Sequence, residues 1–543
     1  VRRDDPEAGA LRRAAVPIGL GVFAVLPPAW EFASSGLETG LTFAWLGGSF
    51  LVLIRLVSAP AAPGGTTRLR AWCSAAVLLG LGPLVRPELA LYGAGFLAVL
   101  GVDCVRRRRA AGLRPLRDVL VLALCAAALP VAYQIFRMGY YAALTPNTAL
   151  AKEAFGSRWD QGVLYARNFF GLYELALPLA ILAAFSIDAV RATWSRGARV
   201  SAAALAAPAI CGLLHAVYVV RLGGDFMHGR MFLAPVFAFA LPAAVVPLLG
   251  RGAPLGSNAQ RIFLVAVIAA WMPICGLFFR VDRENQWGIG DERGWYVRES
   301  KEAHPVTLED YRAFGFHRDA AWLRGIAARG CPGGTLPDGS GGAGRCERTL
   351  RVDDAGYGSL HPWQEVRPLG GAADPRVVMA VARGAVGMAG YLLGPAVHLV
   401  DRVGLTDPIA ARLELDHRGR PGHEKALPNA WLAARFTEAA QGEDAGVSAA
   451  RKALRCGAPA DLEAAVREPL TVGRFLRNIG AAWRIQRLRI PADPFEAERR
   501  FCGAPAPYVR SAGGGGGGPF RWHCPDGTHL AALAGTLSAD GGD

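Results

Sequence analysis

The sequence predicts a polytopic α-helical membrane protein followed by an extracytoplasmic α/β domain, and three observations carry that expectation. Of the 543 residues, 52% are hydrophobic and the mean hydropathy is +0.24, too apolar for one soluble domain. Apolar runs of roughly 17 to 25 residues, long enough to cross a hydrocarbon core, recur up to about Phe279 and then give way to mixed polar sequence. The arginines of the first half gather in alternate connections between those runs, the bias that orients membrane proteins with their basic loops inside. The expected organisation is therefore a transmembrane domain over 1–280 and a soluble domain over 281–543.

About nine spans are expected, at 14–33, 41–57, 71–85, 89–104, 119–138, 172–190, 202–220, 231–249 and 262–279. The first is followed by further spans rather than by a small-residue cleavage site, so it reads as a retained span and not as a signal peptide. Placing the arginine-rich connections 2–13, 55–70, 105–117, 191–199 and 251–261 inside sends the others outside. The outer connections are then 34–39, the break Val85-Arg86-Pro87-Glu88, the long loop 139–171, and the charged island Arg221-Leu222-Gly223-Gly224-Asp225-Phe226-Met227-His228-Gly229-Arg230. Proline at 87 leaves backbone groups needing partners, as in a broken helix pair lining a cavity or in a tight hairpin. Over 159–173, Trp159, Val163, Ala166, Phe170 and Tyr173 recur at helical spacing, which suits a helix in the membrane interface or one packed on the soluble domain.

After the last span the chain is delivered outside. A capping pattern at Thr307-Leu308-Glu309-Asp310 starts a helix ending near Gly330, and 377–382 and 396–400 read as buried strands. Asp407-Pro408 suits a helix start, and 471–490 forms another helix, with Phe475, Ile479 and Trp483 at core spacing beside several arginines. Glycines at 513–518 suggest a linker. Of the ten cysteines, Cys73, Cys104, Cys125, Cys211 and Cys275 lie in or beside spans and read as small core residues. The other five fall in the extracytoplasmic half, where disulfides are permitted.

The net charge of +14 does not indicate nucleic acid, because its basic residues cluster between spans. No P-loop, dinucleotide fingerprint, HExxH or paired CxxC pattern is present, so neither an ATP pump, a nicotinamide enzyme nor a structural zinc site is indicated, and no metal ligands are assigned. A concentration of ionisable groups at the outer membrane edge instead suits a lipid-phosphate substrate, whose headgroup sits there and requires cations. Arg137, Lys152, His228 and Arg230 are the candidates for the phosphate. A sugar hydroxyl needs carboxylates and amides to orient it, for which Glu38, Glu88, Asn147 and Asp225 are available. Arg86, Tyr140 and Thr148 join them as site-lining residues. Asp401, Asp407, His423 and Glu424 face an acceptor, or else Asp401 ends a strand and Asp407 caps a helix.

Several longer strings carry a resemblance: Leu129 through Tyr141, Pro146 through Lys152, Gly223-Gly224-Asp225-Phe226-Met227-His228-Gly229-Arg230, Ser35-Gly36-Leu37-Glu38, Val85-Arg86-Pro87-Glu88, Asp401-Arg402-Val403-Gly404-Leu405, Gly422-His423-Glu424-Lys425 and Arg474-Phe475-Leu476. In that order they resemble the terminal β-(1→2) arabinofuranosyltransferases of mycobacterial type, over nearly the whole chain. The resemblance implies a GT-C glycosyltransferase of the plasma membrane that takes arabinofuranose from decaprenylphosphoryl arabinose and caps the arabinan of arabinogalactan or lipoarabinomannan. It implies no bound cofactor, and a disulfide between Cys456 and Cys502, with Cys331 and Cys346 as a second pair. In this reading Asp225 and Glu38 are catalytic, orienting the acceptor or stabilising charge on the furanose. Family members carry, ahead of the segment matching Ala14, two further spans whose first outer loop is acidic. The resemblance therefore implies an upstream segment, which Asp4-Asp5, cytoplasmic by the charge argument, does not replace. The alternatives are another polyprenyl-phosphate-sugar transferase, such as a mannosyltransferase, and a truncated glycan-binding membrane protein.

Overall fold

The computed structural model describes residues 15–60, 65–248, 257–281, 288–329, 348–352, 365–370 and 377–503. Strand β1 (Ala15–Val16) leads into two short helices, α1 (Ile18–Ala24) and α2 (Pro27–Ala33), and then α3 (Thr39–Ser58). Next come α4 (Gly65–Gly80), α5 (Gly82–Val85), α6 (Ala90–Ala110), α7 (Leu116–Tyr141), α8 (Asn147–Ala151), α9 (Trp159–Ala166), α10 (Ala176–Ser195), α11 (Arg199–Leu222), α12 (Arg230–Ala240), β2 (Val246–Pro247) and α13 (Asn258–Phe278). Among the described residues, seven helices are long and apolar enough to cross a membrane: Thr39–Ser58, Arg68–Val85, Pro87–Ala110, Leu116–Tyr141, Ala176–Ser195, Arg199–Leu222 and Asn258–Phe278.

The spans expected at 14–33 and 231–249 are not single long helices. Pro27 and Pro28 cannot continue a helix begun upstream, so the first divides into α1 and α2. The other is helical only from Arg230 to Ala243, after which β2 pairs antiparallel with β1. That pairing puts the start of α1 and the end of α12 at one end of the bundle, while ion pairs join Glu38, just after α2, to Arg230 at the other. Both segments thus reach from one end of the bundle to the other.

The two ends differ chemically. At the first, Arg107 pairs with Asp103 at 2.8 Å and caps the carbonyls of Val57 and Ala59, Arg108 pairs with Asp118, and Arg261 pairs with Asp188. These cations satisfy helix C-terminal carbonyls and buried carboxylates. The second end gathers Glu38, Arg86, Glu88, Asp225 and Arg230. The helices approach closely: a Cβ at Gly80 would collide with the Ala126 carbonyl, and one at Gly162, near the second end, with that of Val220. The stretch 159–173 is not one regular amphipathic helix. A π turn interrupts it at Arg167–Gly171, and along the stretch Trp159 and Val163 are exposed while Tyr165, Phe169 and Tyr173 are buried.

Beyond α13 lie α14 (Glu292–Ser300), α15 (Gly315–Arg329), β3 (Thr349–Val352), β4 (Glu365–Pro368), β5 (Met379–Arg383), α16 (Gly387–Leu393), β6 (Val397–Asp401), α17 (Asn429–Phe436), α18 (Ala445–Ala453), α19 (Gly457–Arg467), α20 (Val472–Arg487) and α21 (Pro494–Cys502). The sheet order is β4-β3-β5-β6, with β3, β5 and β6 parallel and β4 antiparallel to β3. The molecule is thus a polytopic helical bundle with an α/β C-terminal portion. The Thr307–Asp310 capping box forms, but it closes only a 3-10 turn before α15. Asp407 likewise caps a 3-10 turn at Ala410–Arg412 rather than a full helix. The glycine run at 513–518 and the pair Cys331 and Cys346 lie outside the described residues.

The described residues up to Cys502 form one compact unit. The loop after α7 is held by the C-terminal portion: Asn147 donates to the carbonyls of Gly404 and Asp407 at 3.2 and 2.9 Å, Asn478 to that of Gly139 at 2.9 Å, and Gln486 to Thr145 Oγ1 at 2.8 Å. Cys456 and Cys502 form a disulfide across 46 residues, with Cα atoms 5.2 Å apart. Removing it by Cys456→Ser should destabilise this region by about 2–4 kcal/mol, mainly by freeing the unfolded chain. The check is a lower thermal midpoint of the purified protein by intrinsic fluorescence, with dithiothreitol lowering the wild type but not the variant.

Candidate active site

The site begins where α11 stops. Gly223 and Gly224 adopt φ of +93° and +72°, a left-handed turn that side chains disfavour, and a Cβ on Gly224 would collide with the Tyr165 ring. The chain then reverses beneath α9 and is fixed at both edges. His228 N donates to Gly290 O at 3.0 Å and Gly290 N to Phe226 O at 2.8 Å. The Tyr165 hydroxyl donates to Met227 O at 2.9 Å and accepts from Met231 N at 3.1 Å. Asp225 is held pointing into the bundle, 3% exposed.

A chain of ion pairs runs from it. Asp225 accepts from its neighbour Phe226 N at 2.9 Å, and lies 3.4 Å from Arg230 Nη1 and 3.7 Å from Lys152 Nζ. Arg230 Nη2 reaches Glu38 Oε1 at 3.0 Å, and the same oxygen takes Arg86 Nη1 at 2.9 Å. Arg86 also pairs with Glu88 and donates to Met231 Sδ at 3.2 Å. Partial burial penalises the Glu38 charge, but Arg230, then a backbone amide and Arg86, outweigh it and hold the carboxyl below its ordinary range. Arg230 Nε is buried with no protein partner among the described residues, so one donor of this cation is unspent.

Lys152 marks the open edge, with its side chain 35% exposed against 12% for Arg230. Beside it the Phe226 ring meets His423 edge-on at 4.5 Å, and the Arg420 guanidinium lies 5.0 Å above the same ring. Arg420 is tethered by Nε to Gly288 O at 3.3 Å, next to the Gly290 bridge. Two residues past Gly290, Glu292 lies within electrostatic reach of Arg420, Asp225 and Arg230; burial pushes its carboxyl up, opposed by the two arginines. Burial, then Arg420 and Lys152, push the His423 imidazole down to about 4. Burial alone does the same to His228, to about 4. Its Nδ1 faces Asn168 Oδ1, which only accepts, so Nδ1 carries the proton and Nε2 accepts from the Tyr173 hydroxyl at 3.1 Å.

The structure brings together Asp225, Glu38, Arg86, Glu88, Lys152, Arg230 and, as a wall, His423. It does not bring the rest. Arg137 bonds to Gln134 and to Leu144 O and lies over the Tyr133 ring. His228, neutral and enclosed by aromatic rings, supplies no positive charge for a phosphate; it braces the turn. Tyr140 is 45% exposed in an aromatic row on α7, and Thr148 is exposed. Asn147 clamps the Gly404–Asp407 loop, Asp401 accepts from Val403 N and Thr406 N, and Asp407 pairs with Arg435. Glu424 pairs with Arg418. Sequence reading passed over Tyr165, Asn168, Glu292 and Arg420. The first two sat in a helix read only for its apolar face, and the last two in stretches with no periodicity or motif.

The model of the AftB family C-terminal domain matches residues 359–499. The chain is 33% identical to the terminal β-(1→2)-arabinofuranosyltransferase of Mycobacterium tuberculosis over 544 residues, covering 92% of this chain and 82% of the relative. It is 31% identical to the protein of the same name from Corynebacterium glutamicum over 526 residues, covering 90% and 73%. No solved structure matches the chain.

Arg230→Ala would leave Asp225 with Lys152 and Glu38 with Arg86 as their remaining cations, and should cost about 3–5 kcal/mol of stability; the same loss should not follow from Arg137→Ala, and equal thermal midpoints for the two variants would refute this. Acid should destabilise the fold. An unfolded histidine titrates near 6.5, whereas His228 and His423 stay neutral down to about 4. From about pH 6.5 toward 4 the unfolded chain takes up protons that the folded one refuses, so stability falls across that window. The thermal midpoint against pH should be shallower there in His423→Gln than in wild type.

Proposed function

The chain belongs to the terminal β-(1→2)-arabinofuranosyltransferase family, and we propose that it moves arabinofuranose from decaprenylphosphoryl arabinose to the ends of cell-wall arabinan, in arabinogalactan or lipoarabinomannan. The reaction is assigned to the outer face of the plasma membrane, with the C-terminal portion extracytoplasmic. The observation that carries this reading is the buried Asp225 carboxylate set between Arg230 and a half-buried Lys152 at the end of the bundle opposite the arginine-rich connections. A transferase using a lipid-phosphate donor has to place an anion and a developing cation side by side there.

In the transfer the bond from the anomeric carbon to the phosphate oxygen breaks, its electron pair leaves with decaprenyl phosphate, and the acceptor 2-hydroxyl oxygen bonds to that carbon and passes its proton to the departing phosphate. Lys152 and Arg420 flank the open edge and receive the phosphate, with Arg230 Nε behind them. Asp225 faces the positive charge that builds on the furanose ring, and Glu38 holds Arg230 and Arg86 in place. The aromatic face of Phe226, with His423 against it, offers a wall for a sugar ring. A β-linked donor and a β-linked product give net retention, so the departing phosphate and the entering hydroxyl share one face of the ring.

The lipid tail also has a place. An apolar cleft of about 440 Å3 runs between α4, α6 and α7, past Leu79, Gly80, Gly93, Leu97 and Ala126. Its lining includes Pro83 and Ala90, which flank Arg86 and Glu88 in sequence, so it begins beside the ion-pair chain. Small residues make the cleft, and its wall is apolar enough for a polyprenyl chain.

The test is arabinose transfer from synthetic decaprenylphosphoryl arabinose to a short arabinan acceptor. Asp225→Asn should lower kcat by about a hundredfold or more, with donor Kd little changed; near-normal turnover removes Asp225 from the chemistry. Lys152→Ala should raise the donor KM roughly 10- to 100-fold, the worth of one charge-assisted hydrogen bond. Transfer from polyprenylphosphoryl mannose but not from the arabinose donor would instead establish a mannosyltransferase.

A further inference from the structure

Helix α20 has two faces that want different surroundings. Asn478, Ala482 and Ile485 are buried in the C-terminal core, and Thr471 caps the helix by accepting from Arg474 N at 3.1 Å. The opposite face exposes Val472 at 79%, Leu476 at 62% and Trp483 at 59%. A row of large apolar side chains left bare in water is costly, and marks a surface that something covers.

What covers it follows from where α20 sits. It rests on the outer end of α7, the end away from the arginine-rich connections. The Phe475 ring fills the space in front of Gly139, where any Cβ would collide, and Asn478 Nδ2 donates to Gly139 O at 2.9 Å. Further along, Gln486 Oε1 accepts from the amides of Leu144 and Thr145 at 3.2 Å each. α7 is itself long and apolar enough to span a membrane, and it exposes Val131, Ile135, Phe136, Tyr140 and Tyr141 toward that end. The bare stripe of α20 therefore continues the bare face of a spanning helix, at the level where aromatic side chains mark the membrane boundary.

The charges of the face agree. Arg477, Arg484 and Arg487 stand among its apolar residues. Arg484 pairs with Asp461 at 2.8 Å and the Arg487 guanidinium lies 4.5 Å over the Trp483 ring, while Arg477 and Arg487 have no carboxylate within 4 Å among the described residues. Apolar residues interleaved with arginines on one helical face suit an interface helix, with its rings among the acyl chains and its cations among the phosphates.

We propose that α20 lies in the plane of the outer leaflet, with Val472, Leu476 and Trp483 inserted and Arg477 and Arg487 bound to anionic phospholipid headgroups. This fixes the C-terminal portion to the bilayer at a point other than the spans and sets the height of the loop that Asn147 and Gln486 hold. It does not depend on the transfer reaction.

The test uses the full chain in lipid nanodiscs, of phosphatidylcholine alone or mixed with phosphatidylglycerol, and a photoreactive benzophenone amino acid at position 476 or 472. Position 391, where Tyr391 is 81% exposed on α16, is the control. Irradiation and intact-mass analysis should give phospholipid adducts at 476 and 472 and not at 391. In mixed discs the adducts should be enriched in phosphatidylglycerol, and Arg477→Gln or Arg487→Gln should lower that enrichment by up to about fivefold each, the worth of one cation near an anionic surface. Absence of lipid adducts, cross-links to a second copy of the chain, or equal labelling at 391 would overturn the proposal. Adducts without phosphatidylglycerol enrichment would overturn its headgroup half.

Discussion

The chain of ion pairs from the buried Asp225 through Arg230 and Glu38 to Arg86 is the constraint on which this end of the bundle depends. Its members come from three separate connections, and each charge has a partner of opposite sign in the chain. A carboxylate buried as deeply as Asp225 needs cations in contact, and a guanidinium needs several acceptors in its own plane. Meeting both demands fixes where α3, α6, α11 and α12 begin and end relative to one another. The glycine turn at Gly223 and Gly224 serves that end, because it points Asp225 inward instead of toward water.

Departures from regular helix supply the geometry that this network needs. Prolines divide the first span, a 3-10 turn at Pro87–Leu89 separates Arg86 from Ala90, and a π turn interrupts the helix between Tyr165 and Tyr173. Each break either releases backbone from the helix ladder at the outer end or turns a side chain by a fraction of a turn. At the opposite end the arginines are spent on helix C-termini and single carboxylates.

The C-terminal portion acts on the site from behind. Asn478 binds the end of α7, Gln486 the loop after it and Asp407 the Asn147 side chain, while Gly422, His423 and Arg420 close over Phe226 and Lys152. Polar residues that look reactive in the sequence are mostly occupied here with holding loops. Asp401 and Asp407 are buried carboxylates that accept backbone amides, and Asn147 makes three bonds to neighbouring chain. Their chemistry is that of caps and clamps.

The sequence alone determined the class of the fold, the course of most spans, the charged connections between them and the island around Asp225. Those signals are local: a run of about twenty apolar residues is readable wherever it stands, and arginine bias needs only neighbouring loops. It also determined that Glu38, Arg86, Glu88, Lys152 and Arg230 share one end with Asp225. Only the tertiary structure decided which polar groups of that end converge. Arg137 and Asp225 are both outer charges in a helical protein, yet one caps its own loop and the other centres the ion-pair network. Glu292 and Arg420 arrive through a two-residue bridge at Gly290 and a cation over Phe226, contacts that join segments far apart in the chain and have no periodicity to betray them. Span and orientation are written in each stretch, whereas convergence depends on packing among stretches, which no single stretch contains.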